Sequence, residues 1–254
     1  MQPNARPDAA VDEDLPDAGR SAAPSSPRAA TADGDAEAGA PSASQRAGRP
    51  KPGERRVHIL QTLATMLEAP KSEKITTAAL AARIGVSEAA LYRHFASKAQ
   101  MFEGLIEFIE QTIFGLINQI VAKEPNGVLQ ARAIGLMLLN FAAKNPGMTR
   151  VLTGEALVGE HERLTERVNQ MTERIEASVK QCLRVGLTDA GTSAASAHGS
   201  AETAAVPLPP DYDPVVRASL LVSYVIGRWH RYAKSGFVRE PGEQADAQLR
   251  LILQ

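Results

Sequence analysis

The chain has 254 residues, with 28 Lys and Arg against 29 Asp and Glu, 44 % hydrophobic residues and a single cysteine, Cys182. A near-neutral total excludes a binder whose whole surface is basic, though not one with a local basic patch. The lone cysteine excludes an internal disulfide framework and fits a reducing compartment.

No run approaches the roughly 20 apolar residues of a membrane span. Residues 1–53 carry only Met1, Val11 and Leu15 as large apolar side chains, which leaves no signal peptide to find. A soluble, cytoplasmic protein is expected. Eight of the 16 prolines fall within residues 1–52, amid Ala, Ser, Gly and Asp. Such a stretch cannot bury enough apolar surface to offset its chain entropy, so residues 1–53 are expected to be a disordered tail.

Beyond the tail, Leu60, Leu63, Ala64 and Leu67 repeat at i, i+3, i+4 and i+7, which predicts a helix ending near Pro70. Further helices are expected at about 77–84, 88–95, 98–123, 128–144, 148–157, 160–185, 214–234 and 243–253. The segment 187–210, LTDAGTSAASAHGSAETAAVPLPP, reads as a flexible insertion. No segment alternates with period two between turn signals. The fold class is therefore all-α, with about nine helices.

Charge is unevenly spread along this order. Residues 1–45 hold three Arg and eight Asp or Glu, whereas residues 46–101 hold ten Lys or Arg and four Glu. The basic excess sits on the first folded segment and on its approach, Arg46, Arg49, Lys51, Arg55 and Arg56. A charge run of this kind is ordinarily a solvated face, and it needs a motif beside it before nucleic acid is worth naming.

That motif is ITTAALAARIGVSEAALYRHFASK, residues 75–98. Thr76 is a good N-cap for a short helix whose Leu80, Ala81 and Ile84 face one way. Gly85 suits a left-handed turn, Val86 plugs the angle, and Ser87 caps a second helix with Glu88 in its first turn. On that second helix Leu91 and Phe95 are spaced to dock inward. Arg93 and Ala89 then face outward, flanked by Tyr92, Ala90 and His94. Two short helices joined by a glycine turn, presenting small residues with Tyr and Arg, describe a helix-turn-helix.

The residue types fit DNA. Small Ala89 and Ala90 let a helix sink into the major groove and touch thymine methyls. The capped helix starts at Thr76 and Ser87 present N–H groups to phosphates. Tyr92, His94 and Lys98 have the reach to hold the backbone on either side. The expected DNA-contact set is Thr76, Thr77, Ser87, Glu88, Ala89, Ala90, Tyr92, Arg93, His94 and Lys98.

Residues 54–101 resemble the DNA-binding domain of TetR-family regulators, on the pattern ITT…LA…GVS…LY.HF.SK. More narrowly, the chain is similar to the nucleoid occlusion factors of that family. The similarity rests on ILQTLATMLE (59–68), residues 74–110, NPGMTRVLTGEAL (145–157) and RLTERVNQMTERIEA (163–177). The tail and the 187–210 insertion depart from the pattern. The resemblance implies a 54–101 DNA-binding domain and a 102–254 helical domain for dimerisation and partner binding. It also implies a homodimer on palindromic double-stranded DNA that antagonises assembly of FtsZ, the tubulin-like division protein, and so a nucleoid-associated location. Phe108 and Asn145 match positions implicated in FtsZ contact, and Met137, Asn140 and Lys144 lie in the equivalent region with different side chains. From its own neighbours, Phe108 reads equally as an ordinary core aromatic.

Leu164, Val168, Met171, Ile175 and Cys182 form an apolar stripe on a charged helix, either internal core or a subunit seam. Val222, Val225, Ile226 and Trp229 mark a second apolar helix suited to a four-helix contact. Both are carried forward as the dimer seam. The five histidines have no paired spacing and no cysteine partner, so no metal is expected. No nucleophile elbow, phosphate-cradling loop or dinucleotide fingerprint is present, and neither an enzyme nor a cofactor is expected. A ligand-gated repressor on the same fold is the alternative function.

Overall fold

The computed structural model describes residues 53–69, 75–195 and 208–254, without the side chains of 189–195. The expectation for residues 1–52, and that for residues 196–207, lie outside the described residues. The described residues form nine α-helices and no strand: α1 Glu54–Met66, α2 Thr77–Ile84, α3 Glu88–Tyr92, α4 Lys98–Lys123, α5 Gly127–Lys144, α6 Pro146–Leu152, α7 Glu162–Ala195, α8 Pro214–Lys234 and α9 Ala245–Leu253. A 3₁₀ turn, Glu155–Leu157, joins α6 to α7.

One contiguous core runs through all of them, from Ile59 on α1 to Leu253 on α9. Helix α5 lies at its centre, packed on α4, α7, α8 and α9. Helix α4 contributes Met101, Phe102, Leu105, Ile106, Ile109, Ile113 and Ile117. It is long and apolar enough for its composition to resemble a membrane span, but that apolar side is spent on the core. One flank of that side carries Glu103 and Glu110, which pair with Arg163, Arg167 and Arg174 of α7.

Three element ends differ from the sequence expectation. Helix α3 stops at Tyr92 rather than 95, because Phe95 turns into the core while the His94 carbonyl accepts from Arg56 at 2.9 Å. The stretch expected as one helix at 148–157 is broken at Gly154, φ 74, into α6 and the 3₁₀ turn. Helix α7 continues ten residues past its expected end at 185, into the segment read as a flexible insertion. Leu187 still packs against the core, and no proline interrupts the chain before residue 195, so nothing stops the helix at the composition change.

The segment of α1 to α3 joins the rest in two ways. The division expected at 101/102 falls inside the unbroken α4. Helix α6 also abuts α1, with Gly147 so close that a Cβ there would run into the Ala64 carbonyl oxygen. Only glycine permits that approach.

Candidate nucleic-acid interface and partner face

The helix-turn-helix forms from its caps. Thr76 Oγ1 accepts from the Ala79 amide at 3.1 Å, and Ser87 Oγ from the Ala90 amide at 3.3 Å. Between them Gly85 adopts φ 75, and the Val86 amide closes the turn onto the Ala81 carbonyl at 3.0 Å. Leu80, Ala81, Leu91 and Phe95 are buried, and Val86 packs beside them. That burial fixes which face of α3 points away. Ala89, Arg93 and His94 are exposed on it, Ala90 is half-buried, and Tyr92 is 45 % exposed.

A polar network holds the two helices in register. Thr77 Oγ1 donates to Glu88 Oε2 at 2.7 Å, and the Tyr92 hydroxyl lies 3.4 Å from the same Thr77 oxygen. Thr77 and Glu88 thus satisfy each other across the turn. Of the ten expected DNA contacts, the structure brings eight onto the two short helices and their caps, and a ninth, His94, lies in the turn just after α3. The tenth, Lys98, starts α4 and is not free: its ammonium pairs with Glu160 Oε1 at 2.5 Å and lies 5.6 Å over the Phe102 ring. Arg56 is also occupied, stacked 4.2 Å from the centroid of Phe95 while it caps α3.

A second surface lies on α5. Met137, Asn140 and Lys144 share one side of that helix, with Asn140 and Lys144 exposed and Met137 half-buried. Leu136, Met137, Leu139, Asn140 and Ala143 form one wall of an open groove of about 790 Å³, and Glu240, Gly242 and Glu243 form the other. Asn145 follows at the α5–α6 junction, its side-chain amide donating to the Phe141 carbonyl at 2.8 Å. Phe108 stands apart on α4, half-buried against the core.

Two family models match the chain: the bacterial regulatory proteins of the tetR family over residues 73–105, and the tetracyclin repressor-like C-terminal domain of the SlmA type over residues 126–195. Among curated proteins, nucleoid occlusion factor SlmA of Idiomarina loihiensis is 47 % identical over 200 residues, covering 79 % of this chain and 94 % of its own. SlmA of Alteromonas mediterranea is 45 % identical over 194 residues, covering 76 % and 91 %. The chain belongs to the SlmA family of nucleoid occlusion factors. Solved structures share its fold at low identity. A TetR transcription regulator from Haloarcula marismortui superposes with TM-score 0.63 at 15 % identity, over 79 % of this chain and 96 % of its own. FadR from Bacillus subtilis, solved with stearoyl-CoA, gives 0.60 at 9 % identity, over 78 % and 97 %.

The apolar stripes expected to form the dimer seam of this SlmA-family chain face its own interior. Leu164, Val168, Met171, Ile175 and Cys182 on α7, and Val222, Val225 and Trp229 on α8, are buried inside the single chain, with Ile226 half-buried beside them. Trp229 is 2 % exposed, and its indole N–H donates to the Leu138 carbonyl at 3.2 Å. Periodicity identified an apolar face on each helix, and within the chain α7 packs on α4, α5 and α8, and α8 on α5, α7 and α9. The outer face of α8 instead exposes Val216 and Leu220, with Ser223 and Gly227 continuing it.

Sequence reasoning takes Glu160, beside His161, for a polar residue on an exposed loop, where the structure pairs it with Lys98, and it passes over Arg150 and the 235–244 segment. Arg150 stood inside the matched NPGMTRVLTGEAL stretch, but nothing local signals a partner 83 residues away.

Proposed function

We propose that the chain acts as a nucleoid occlusion factor: a cytoplasmic, nucleoid-associated homodimer that binds palindromic DNA and, once bound, restrains polymerisation of FtsZ. The observation that carries this reading is identity of 45–47 % to SlmA proteins across both the DNA-reading segment and the C-terminal helices. Effector domains of ligand-gated regulators would share the first part without the second.

DNA meets the α2 and α3 caps and the outer face of α3, where Ala89 and Arg93 approach base edges while Thr76, Ser87, Tyr92 and His94 hold phosphates. One such unit makes too few contacts for selectivity, so two sit one DNA turn, about 34 Å, or a multiple of it apart. The second copy docks on the outer face of α8, through Val216, Leu220, Ser223 and Gly227. Supporting this are the exposure of the two large apolar side chains, 57 % and 51 %, and small residues beyond them that allow close helix approach. FtsZ meets Met137, Asn140, Lys144 and Asn145 at the α5 groove, with Phe108 as a further contact.

The test is sedimentation of FtsZ with GTP, with and without a palindromic duplex selected by the protein from random-sequence DNA. Loss of pelleted FtsZ that depends on the duplex supports the reading. Tight duplex binding with FtsZ polymers unaffected would leave a transcriptional repressor in its place.

A further inference from the structure

Arg150 on α6 is 3 % exposed and joins three parts of the molecule. Its Nη1 donates to the Leu67 carbonyl at 3.0 Å and also to the Ala69 carbonyl, in the turn that closes α1. Its Nε faces Glu155 at 3.7 Å. Its guanidinium lies 4.8 Å from the Phe237 ring centroid.

Phe237 opens the segment between α8 and α9, and it holds φ 67, a backbone conformation that non-glycine residues rarely adopt. Its ring packs tilted on Tyr232, centroids 5.1 Å apart. Beyond it the segment is pinned from inside the protein. Ser235 Oγ accepts from the Val238 and Arg239 amides at 3.2 and 2.9 Å. Arg228 donates to the carbonyls of Glu240, Pro241 and Glu243. Gln244, at φ 55, ends the segment in the same unfavourable region. Such conformations persist only where surrounding contacts over-determine them.

The segment so held supplies Glu240, Gly242 and Glu243, one wall of the α5 groove. Two side chains, Arg150 and Phe237, therefore span from the carbonyls that follow α1 to the segment that forms the groove wall. We propose that Arg150 and Phe237 form a relay that sets the shape of this groove according to the position of α1, so that DNA on the helix-turn-helix changes the partner face. The relay rests on the reading of the groove as the FtsZ surface. A planar guanidinium that bonds two carbonyls and stacks on a ring cannot follow one partner without reorienting against the other. Displacement of the α1 end is thus passed to a segment already held away from its preferred backbone angles. Linkage makes the effect reciprocal: an occupied groove tightens DNA binding by the factor by which DNA tightens the groove. Arg150 and Phe237 are positioning residues here, since neither lines the groove.

Hydrogen exchange on the full-length protein, with and without saturating selected duplex, tests the relay directly. Amides of residues 238–249 should change their exchange rate by about fivefold when DNA binds, the low end of measured couplings. Phe237→Leu should abolish that response while operator affinity stays within about twofold, as for sites with no shared contact. Phe237→Tyr, which keeps the ring, should restore it. In FtsZ sedimentation, Phe237→Leu should lose the stimulation by DNA. Unchanged exchange of 238–249 in the DNA-saturated wild type overturns the relay, as does a full response in Phe237→Leu. A wild type whose loop responds to DNA but whose DNA complex leaves FtsZ polymers intact supports the relay and sinks the FtsZ reading instead.

Discussion

Removing the carboxylate of Glu160 should make DNA binding more salt-sensitive. In the free protein the Lys98 ammonium sits 2.5 Å from Glu160 Oε1, with side chains 30 % and 17 % exposed, so its charge is neutralised beside the DNA-reading unit. Glu160→Gln releases one cation per protomer at the start of α4. Each cation that then meets a phosphate steepens log K against log salt by about 0.9. Raising salt fourfold, from about 50 to about 200 mM, should cost the variant about 3.5-fold more affinity per protomer, or about 12-fold for a dimer. The same pairing predicts that Lys98→Ala leaves the slope within about 0.3 of wild type. A partly exposed pair of this kind contributes about 0.5 kcal/mol to folding, too little to confuse the measurement. Fluorescence anisotropy of a labelled selected duplex, titrated at several salt concentrations, reads all three proteins. A full unit lost in Lys98→Ala, with no steepening in Glu160→Gln, would refute the argument and place Lys98 on a phosphate despite its partner.

Trp229→Ala should lower Tm by about 10 °C or more, because it removes a buried indole and its hydrogen bond to the Leu138 carbonyl, a loss of about 3–5 kcal/mol; thermal circular dichroism checks it. Leu220→Glu should leave Tm nearly unchanged yet give monomers in sedimentation velocity, since that side chain is 51 % exposed on the outer face of α8. Asp246→Asn should flatten the acid limb of stability. Its hydrogen bond to Arg132 holds the folded carboxyl below its ordinary value of 3.8, so the contribution is present above that value and lost as pH falls through the lower folded one. Urea unfolding from about pH 6 to about pH 2 measures the difference, and parallel curves for variant and wild type would deny Asp246 that role.

The local chemistry of the DNA-reading unit was legible in the chain itself. Thr76 and Ser87 cap because their oxygens reach amides three residues on, and Gly85 turns because a left-handed angle is cheap only there. Leu91 docks inward as its helical spacing requires, and so Ala89 and Arg93 face out, while Phe95 reaches the core from the turn after α3. None of this needs a partner distant in sequence. Periodicity likewise showed that α7 and α8 each carry an apolar stripe.

It could not say what covers those stripes. A stripe of Leu164, Val168 and Met171 meets a neighbouring helix or a second subunit with the same hydrophobic gain, and only the packing of α4, α5 and α8 on α7 shows it buried within the chain. The same holds for charge. Lys98 reads as a free cation until tertiary structure brings Glu160 to it across 62 residues. Arg150 reads as a helix-end cation until it meets Leu67 across 83 residues. Short-range hydrogen bonds and helical spacing act within a few residues and leave their signature in order and type. Ion pairs, buried stacks and the covering of an apolar face are set by chain segments that meet only in the folded core, where no local pattern records them.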